Sequence, residues 1–250
     1  MFSRFCAMLT LLVLIVVCAG AEPMRQAEDY AGSLFIPYDQ NDLSAGSFTF
    51  SYRYPHIDES EPGANIVNSF YLEQMDMNET NMLFFADGYA DSGETVVKDI
   101  GYEVKCNNDR FFSVLMVQEL HVGNNRRIIW EGNTFSRGSR EVGTVYDLPR
   151  ILGILDESEQ DEFLIDRQTE KAADVVLEII MDMIYDNPDH LPYFRNLTFE
   201  QLASLIFPQE DFYLDENGNP VFFAEPGFIA DESAGYITFP ISLEDILDEL

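Results

Sequence analysis

Basic residues are what this chain most conspicuously lacks. Fourteen Lys and Arg stand against 45 Asp and Glu in 250 residues, a formal net charge of −31. A field of that sign repels nucleic acid and anionic wall polymers and speeds encounter with a basic partner; the same acids also keep a chain soluble. With 46% hydrophobic residues the sequence is too apolar for a disordered acidic tail. Cysteine is scarce too. Of three, Cys6 and Cys18 lie in the first 21 residues, which leaves Cys106 without an intrachain partner. A disulfide-stapled scaffold is thereby excluded, and stability has to come from a hydrophobic core. Cys106, in the strand-like run Tyr102 to Cys106, reads as a small buried hydrophobe.

Histidine is equally sparse. His56, His121 and His190 lie far apart, with no H-x-H or H-E-x-x-H spacing, so no transition-metal site is expected from them. The sequence holds no G-x-S-x-G elbow, no phosphate-cradling glycine loop and no G-x-G-x-x-G. Nucleophilic catalysis and nucleotide binding have no support, and no cofactor is implied.

A long apolar run is also missing. The stretch from Ala7 to Val17, preceded by Arg4, is shorter than the ~20 residues a membrane span needs. Ala19-Gly20-Ala21 offers the small residues that signal peptidase requires, so residues 1–21 read as a cleaved secretory signal and no stable membrane span is expected afterwards. The competing reading, a lipoprotein retained through Cys18, meets bulky Val17 where lipobox cleavage prefers Ala or Gly.

Residues 22–46 have little periodicity and read as a linker. Ser47 to Tyr54 alternates polar with aromatic residues, as a half-buried strand should, and Pro55 ends it. A helix is expected over Ala64 to Tyr71, then an acidic loop-like stretch from Asp76 to Glu94. Val96 to Lys105, Phe111 to His121 and Ile128 to Phe135 are β-branched and aromatic, separated by turn clusters, which predicts an antiparallel meander. The longest helical pattern starts near Ser158 and runs to about Tyr185, with Ala172, Val176, Ile180 and Ile184 on one face, until Asn187-Pro188 stops it. The expected fold is α+β: a meander sheet covered on one face by that helix, with a C-terminal hairpin and helix that can add to the sheet. Residues 47–155 form an N-terminal half and 156–250 a C-terminal half, packed as one body.

Paired carboxylates are too abundant among 45 acids to mark a catalytic pair. Asp215-Glu216-Asn217-Gly218-Asn219 lacks the glycine position and the terminal Glu of a calcium loop, and Asn217-Gly218 predicts a two-residue hairpin turn instead. The loop from Glu225 to Gly235 sets apolar Phe228 and Ile229 among Glu225, Asp231 and Glu232. An acidic rim around an apolar anchor suits docking of a basic protein; the bland alternative is that Phe228 plugs the core. Asn78-Glu79-Thr80 and Asn196-Leu197-Thr198 formally match glycosylation acceptors.

From Phe194 onward the order of elements is specific. A helical start at Thr198 leads to Pro208, then Phe212-Tyr213-Leu214, the Asp215 turn, Val221-Phe222-Phe223, Gly235-Tyr236, the strand Ile237 to Pro240, and a closing helix from Leu243 to Leu250. This resembles the C-terminal domain of the RsiV-type extracytoplasmic proteins, while Pro55 and Asn68 match the N-terminal half of that family. The resemblance covers about residues 47–250 and is strongest after 190. It implies an extracytoplasmic sensing module that binds lysozyme, a relative of the noncatalytic domains attached to peptidoglycan deacetylases. A cleavable signal stands here in place of the cytoplasmic sigma-binding segment and transmembrane helix, so the anti-sigma role does not carry over. The expected function is a secreted or envelope-associated noncatalytic module that binds a basic protein such as lysozyme, or a cell-wall component such as a peptidoglycan fragment. The rival is a carbohydrate-processing hydrolase that uses a carboxylate pair.

Overall fold

In the computed structural model, residues 22–39, 46–137, 143, 145–186 and 192–250 are described; the expected leader and His190 lie outside them. The segment expected as a linker contains a strand, Tyr30–Pro37 (β1), paired antiparallel along its length with Ser47–Tyr54 (β2). As an outer strand it is partly exposed on both faces, so it lacks the alternation that marks a half-buried strand. Just upstream, Met24 is buried, and its backbone N–H and C=O are both held by the Asn107 side chain, at 2.7 and 3.1 Å.

A second correction concerns residues 76–94. One helix, Ala64–Ala90 (α1), runs through most of the stretch expected as loop. It connects β2 to Thr95–Asn107 (β3), and the two strands lie parallel, which requires a long crossover of this kind. Phe111–Val122 (β4) and Asn125–Ser136 (β5) complete the expected meander, giving a mixed five-stranded sheet in sequence order. Asn78, in the first glycosylation-like triplet, therefore lies within α1, where its amide donates to the Tyr54 hydroxyl at 2.9 Å.

The core beneath α1 is aromatic. Phe48, Phe50, Tyr71, Phe112 and Phe135 are fully buried, each stabilising the fold by ~2–3 kcal/mol relative to exposure. Asn68 secures the preceding loop: its amide accepts from the Ile57 N–H at 2.8 Å and donates to the Ile57 carbonyl at 2.9 Å, as a strand neighbour would.

After Leu148–Leu152 (α2), the expected long helix begins at Glu162, not near Ser158, because Asp161 caps it by accepting from the N–H groups of Phe163 and Leu164. This helix, Glu162–Tyr185 (α3), contributes Ala172, Val176, Ile180 and Ile184 to a second core. Phe199–Ala203 (α4), Phe212–Leu214 (β6), Pro220–Ala224 (β7), Ile237–Pro240 (β8) and Leu243–Glu249 (α5) follow. Cys106 and Phe111 of the large sheet belong to this second core, as do Tyr146, Leu148 and Leu152 from before residue 155. Cys106 is buried as expected, and burial pushes its thiol up to about 11. The architecture is the α+β arrangement of sheets and helices anticipated above.

The C-terminal strands do not extend the meander; they form their own three-stranded sheet, β6-β7-β8, set against it. Asn217-Gly218 is not a two-residue turn, because Leu214 pairs with Pro220 and leaves a loop at 215–219. The Asp215 carboxylate organises that loop by accepting from the N–H groups of Asn217 and Asn219, each at 2.9 Å. Among the described residues no helix is long and apolar enough to cross a membrane.

Two small residues let the sheets meet. The Ser113 hydroxyl lies 2.8 Å from that of Thr134 and accepts from the Leu214 N–H at 3.0 Å. At Gly132 a Cβ would come within 1.6 Å of the Phe212 carbonyl oxygen, so backbone presses on backbone. Gly132→Ala is expected to cost about 3 kcal/mol or more through forced separation of the sheets, read as a lower urea midpoint. Gly101→Ala is the control and should shift the midpoint little, since a Cβ there meets nothing within 4 Å.

Candidate functional site

Docking of the C-terminal unit covers only part of the sheet face that α1 leaves open. The remainder forms a cleft of about 550 Å³ over β2, β3 and β4, lined among others by Ser51, Arg53, Asp99, Glu103, Val117 and Glu119. Strand alternation brings these side chains together from three separated segments. Gly101 lies in the floor and leaves it open.

The electrostatics of this floor are unusual for a sheet. Asp99 and Glu119 are direct cross-strand partners, although like charges opposite one another destabilise a pair of strands. Each carboxylate is steadied from its outer side. The Ser51 hydroxyl donates to Asp99, and Arg126 grips Glu119 with two bonds, at 2.9 and 3.1 Å. Arg126, helped by His121, holds the Glu119 carboxyl below the usual carboxylate range. Glu103 sits farther along β3, 2.5 Å from Lys105, and Arg53 is drawn toward Asp29 at 3.6 Å. The signal for this cluster in the sequence was strand alternation itself: 99, 101 and 103 share a face, and the meander sets residue 119 opposite 99.

The five residues singled out from the sequence do not make one exposed surface. Ile229 is 0% exposed and packs in the second core, and its carbonyl accepts from the Phe194 N–H; it is no surface anchor. Phe228 is half-buried against the same core and lines a separate groove of about 320 Å³ with Phe194 and Leu205. Glu225 faces Arg127 of β5 at 3.7 Å. Asp231 and Glu232 are exposed at the start of a single 3-10 turn, Glu232–Ala234. Of the histidines, His121 lies 3.3 Å from Glu119, and His56 stacks on Tyr30 with centroids 4.3 Å apart. Among the described residues no group of three or more His, Cys, Asp or Glu could hold a metal ion.

Among the described residues one acid is raised in its titration, and it does not line the cleft. Burial raises the Asp211 carboxyl to about 6, against the pull of the Phe207 N–H that donates to it at 2.7 Å. The folded chain thus holds this proton more tightly than the unfolded chain, whose value is near 3.8, and stability falls as pH rises from 3.8 through about 6. Asp211→Asn keeps the acceptor and removes the charge. Allowing for solvent screening, the variant should gain about 1 kcal/mol at pH 7, or ~2–4 °C in Tm, and nothing at pH 3.5; thermal melts at the two pH values check this.

No family model matches the chain, and no curated protein matches it. Among solved structures, a DUF3298 family protein from Pseudomonas aeruginosa PAO1 aligns at 14% identity over 90% of this chain and 94% of that one, with a TM-score of 0.45. A member of the same family from Bacteroides fragilis NCTC 9343 aligns at 12% identity over 90% of this chain and 92% of that one, with a TM-score of 0.49.

Proposed function

We propose that this protein is a secreted or envelope-associated, noncatalytic binding module whose partner is a basic extracellular protein of the lysozyme kind. The observation that carries the reading is the like-charge pair Asp99 and Glu119, set in the cleft of about 550 Å³ and joined there by Glu103. A sequence that tolerates a like-charge cross-strand pair on an open face departs from local stability rules where function is served. Arg126 already pairs with Glu119, so a partner's cationic side chain would pair with Asp99, which the Ser51 hydroxyl holds, and the net charge of −31 draws such a partner in. The RsiV-type resemblance supports the same partner class and the same compartment.

The hydrolase reading needs one carboxylic acid kept protonated beside an ionised one. Arg126 holds Glu119 on the ionised side, and the acid that burial does raise, Asp211, sits outside the cleft.

Calorimetric titration with hen lysozyme at ~50 and ~300 mM salt separates long-range steering from surface fit, because the Debye length shortens substantially between the two. Binding is expected to survive the higher salt with reduced affinity. Gly101→Trp fills the cleft floor and should weaken binding at least tenfold while leaving the melting temperature within a degree or two. If Gly101→Trp binds normally and Asp231→Lys with Glu232→Lys does not, the interface lies at the 225–235 loop and the cleft assignment is wrong. Absence of lysozyme binding at both salts, with binding of soluble peptidoglycan fragments in its place, would replace the protein partner by a wall component.

A further inference from the structure

The exposed side of α3 carries its acids at a fixed step. Asp166, Glu170, Asp174, Glu178, Asp182 and the C-cap residue Asp186 follow one another every four residues, and all six are exposed. Residues four apart are neighbours on a helix, so each consecutive pair sets like charges side by side at a cost to the helix. The last turn has no basic residue, and the helix dipole disfavours Asp182 and Asp186 there. The ion pairs among the described residues use none of the six. Lys171, which follows Glu170 in sequence, donates instead to the Leu250 carbonyl at 2.6 Å. Solubility asks for acids, but not for a spacing that opposes the helix.

Beside the second and third of these acids the surface opens into a groove of about 300 Å³, walled by α3 on one side and by α4 and the segment after it on the other. Leu177, Ala203, Ile206, Phe207 and Pro208 make it apolar, and its charged lining groups among the described residues are Glu170 and Asp174. Phe207 is held firmly by its backbone: its N–H donates to the Asp211 carboxylate at 2.7 Å, and its carbonyl accepts from the N–H groups of Glu210 and Asp211 at 2.8 and 2.7 Å. The residue is nonetheless 44% exposed. An apolar side chain on a fixed backbone, at the rim of a groove whose charges are all negative, is a preformed anchor point.

We infer that this groove docks a helical segment of a partner protein that carries Lys or Arg every four residues and sets one apolar side chain among them. The apolar side chain enters beside Phe207, and the cations meet the carboxylates of Glu170, Asp174 and Glu178, since a four-residue step rises ~6 Å on both helices. Ridges of that step are also the ones that interlock most commonly when two helices pack. Charge fixes the occupant. A second copy of this chain, nucleic acid or an anionic lipid surface brings negative charge to a ladder that already repels itself, whereas a basic helix relieves it. The groove shares no lining residue with the cleft over Gly101, so the inference stands apart from the cleft reading and adds a second contact for a basic partner.

The probe is a fluorescently labelled peptide of Ala, Leu and Lys with lysine at every fourth position, roughly 16 residues long so that it can form a helix. Its anisotropy is followed on titration with the purified protein at ~150 mM salt, and micromolar binding is expected. Glu170→Gln with Asp174→Asn should weaken binding at least tenfold while holding or slightly raising the melting temperature, since a like-charge pair is removed. Phe207→Ala should weaken it about fivefold. Asp76→Asn with Asp87→Asn removes the same charge from exposed positions of α1 and should change it less than twofold. Gly101→Trp, which fills the cleft, should also leave it within twofold, so this inference and the cleft reading fail separately. The same peptide with a proline at its centre should lose binding. Absence of binding at ~1 mM protein, equal weakening by the α1 pair or by Gly101→Trp, or equal binding of the proline peptide would each overturn the inference.

Discussion

Everything on the open side of the large sheet follows from the close approach of β6 to β5 at Gly132. Backbone can meet backbone there only because residue 132 has no side chain and because the Ser113 hydroxyl, itself hydrogen-bonded to that of Thr134, accepts from the Leu214 N–H. A buried N–H left without an acceptor would cost about 1–3 kcal/mol, so the contact is specific as well as close. It fixes how far the C-terminal unit reaches across the face. What it covers becomes the second core, and what it leaves becomes the cleft above Gly101.

The same docking decides the fate of the polar and aromatic residues between the units. Tyr236 is brought over the β5 edge, where its hydroxyl completes a strand-like pairing and burial pushes it up to about 12. Glu225 is carried to Arg127, and Ile229 is drawn into the core by a backbone bond to Phe194. A loop that reads as an acidic rim around an apolar anchor is in this way divided among a core residue, a groove wall, an ion pair and two exposed acids. The cleft gathers its acids from β3 and β4, strands that sequence reading assigned to structure alone.

Much of this fold was legible. The meander, the closing C-terminal elements and α3 each show a clean period, because each has one buried face and one wet face. The misses share the opposite property. In α1 the positions Val67, Tyr71, Met75, Asn78, Met82, Ala86 and Tyr89 do fall at helical spacing, but exposed Leu83, Phe84 and Phe85 blur the stripe, and the acids around Asp76 imitate a loop. In β1 neither face is fully buried, so no alternation arises. The candidate site suffered from abundance: with 45 acids, a carboxylate acquires meaning only from its neighbours.

The sequence by itself determined the α+β class, the segments that become most strands and helices, the reliance on a hydrophobic core in place of disulfides, and the strongly negative field. These depend on composition and local period, which a linear chain displays directly. Tertiary structure alone decided that β2 and β3 run parallel, that the C-terminal strands form a second sheet, that Asp99 faces Glu119, and that Ile229 is buried. Each of these depends on which distant segments share a register or a face, and that is settled by packing and hydrogen-bond satisfaction across the whole chain.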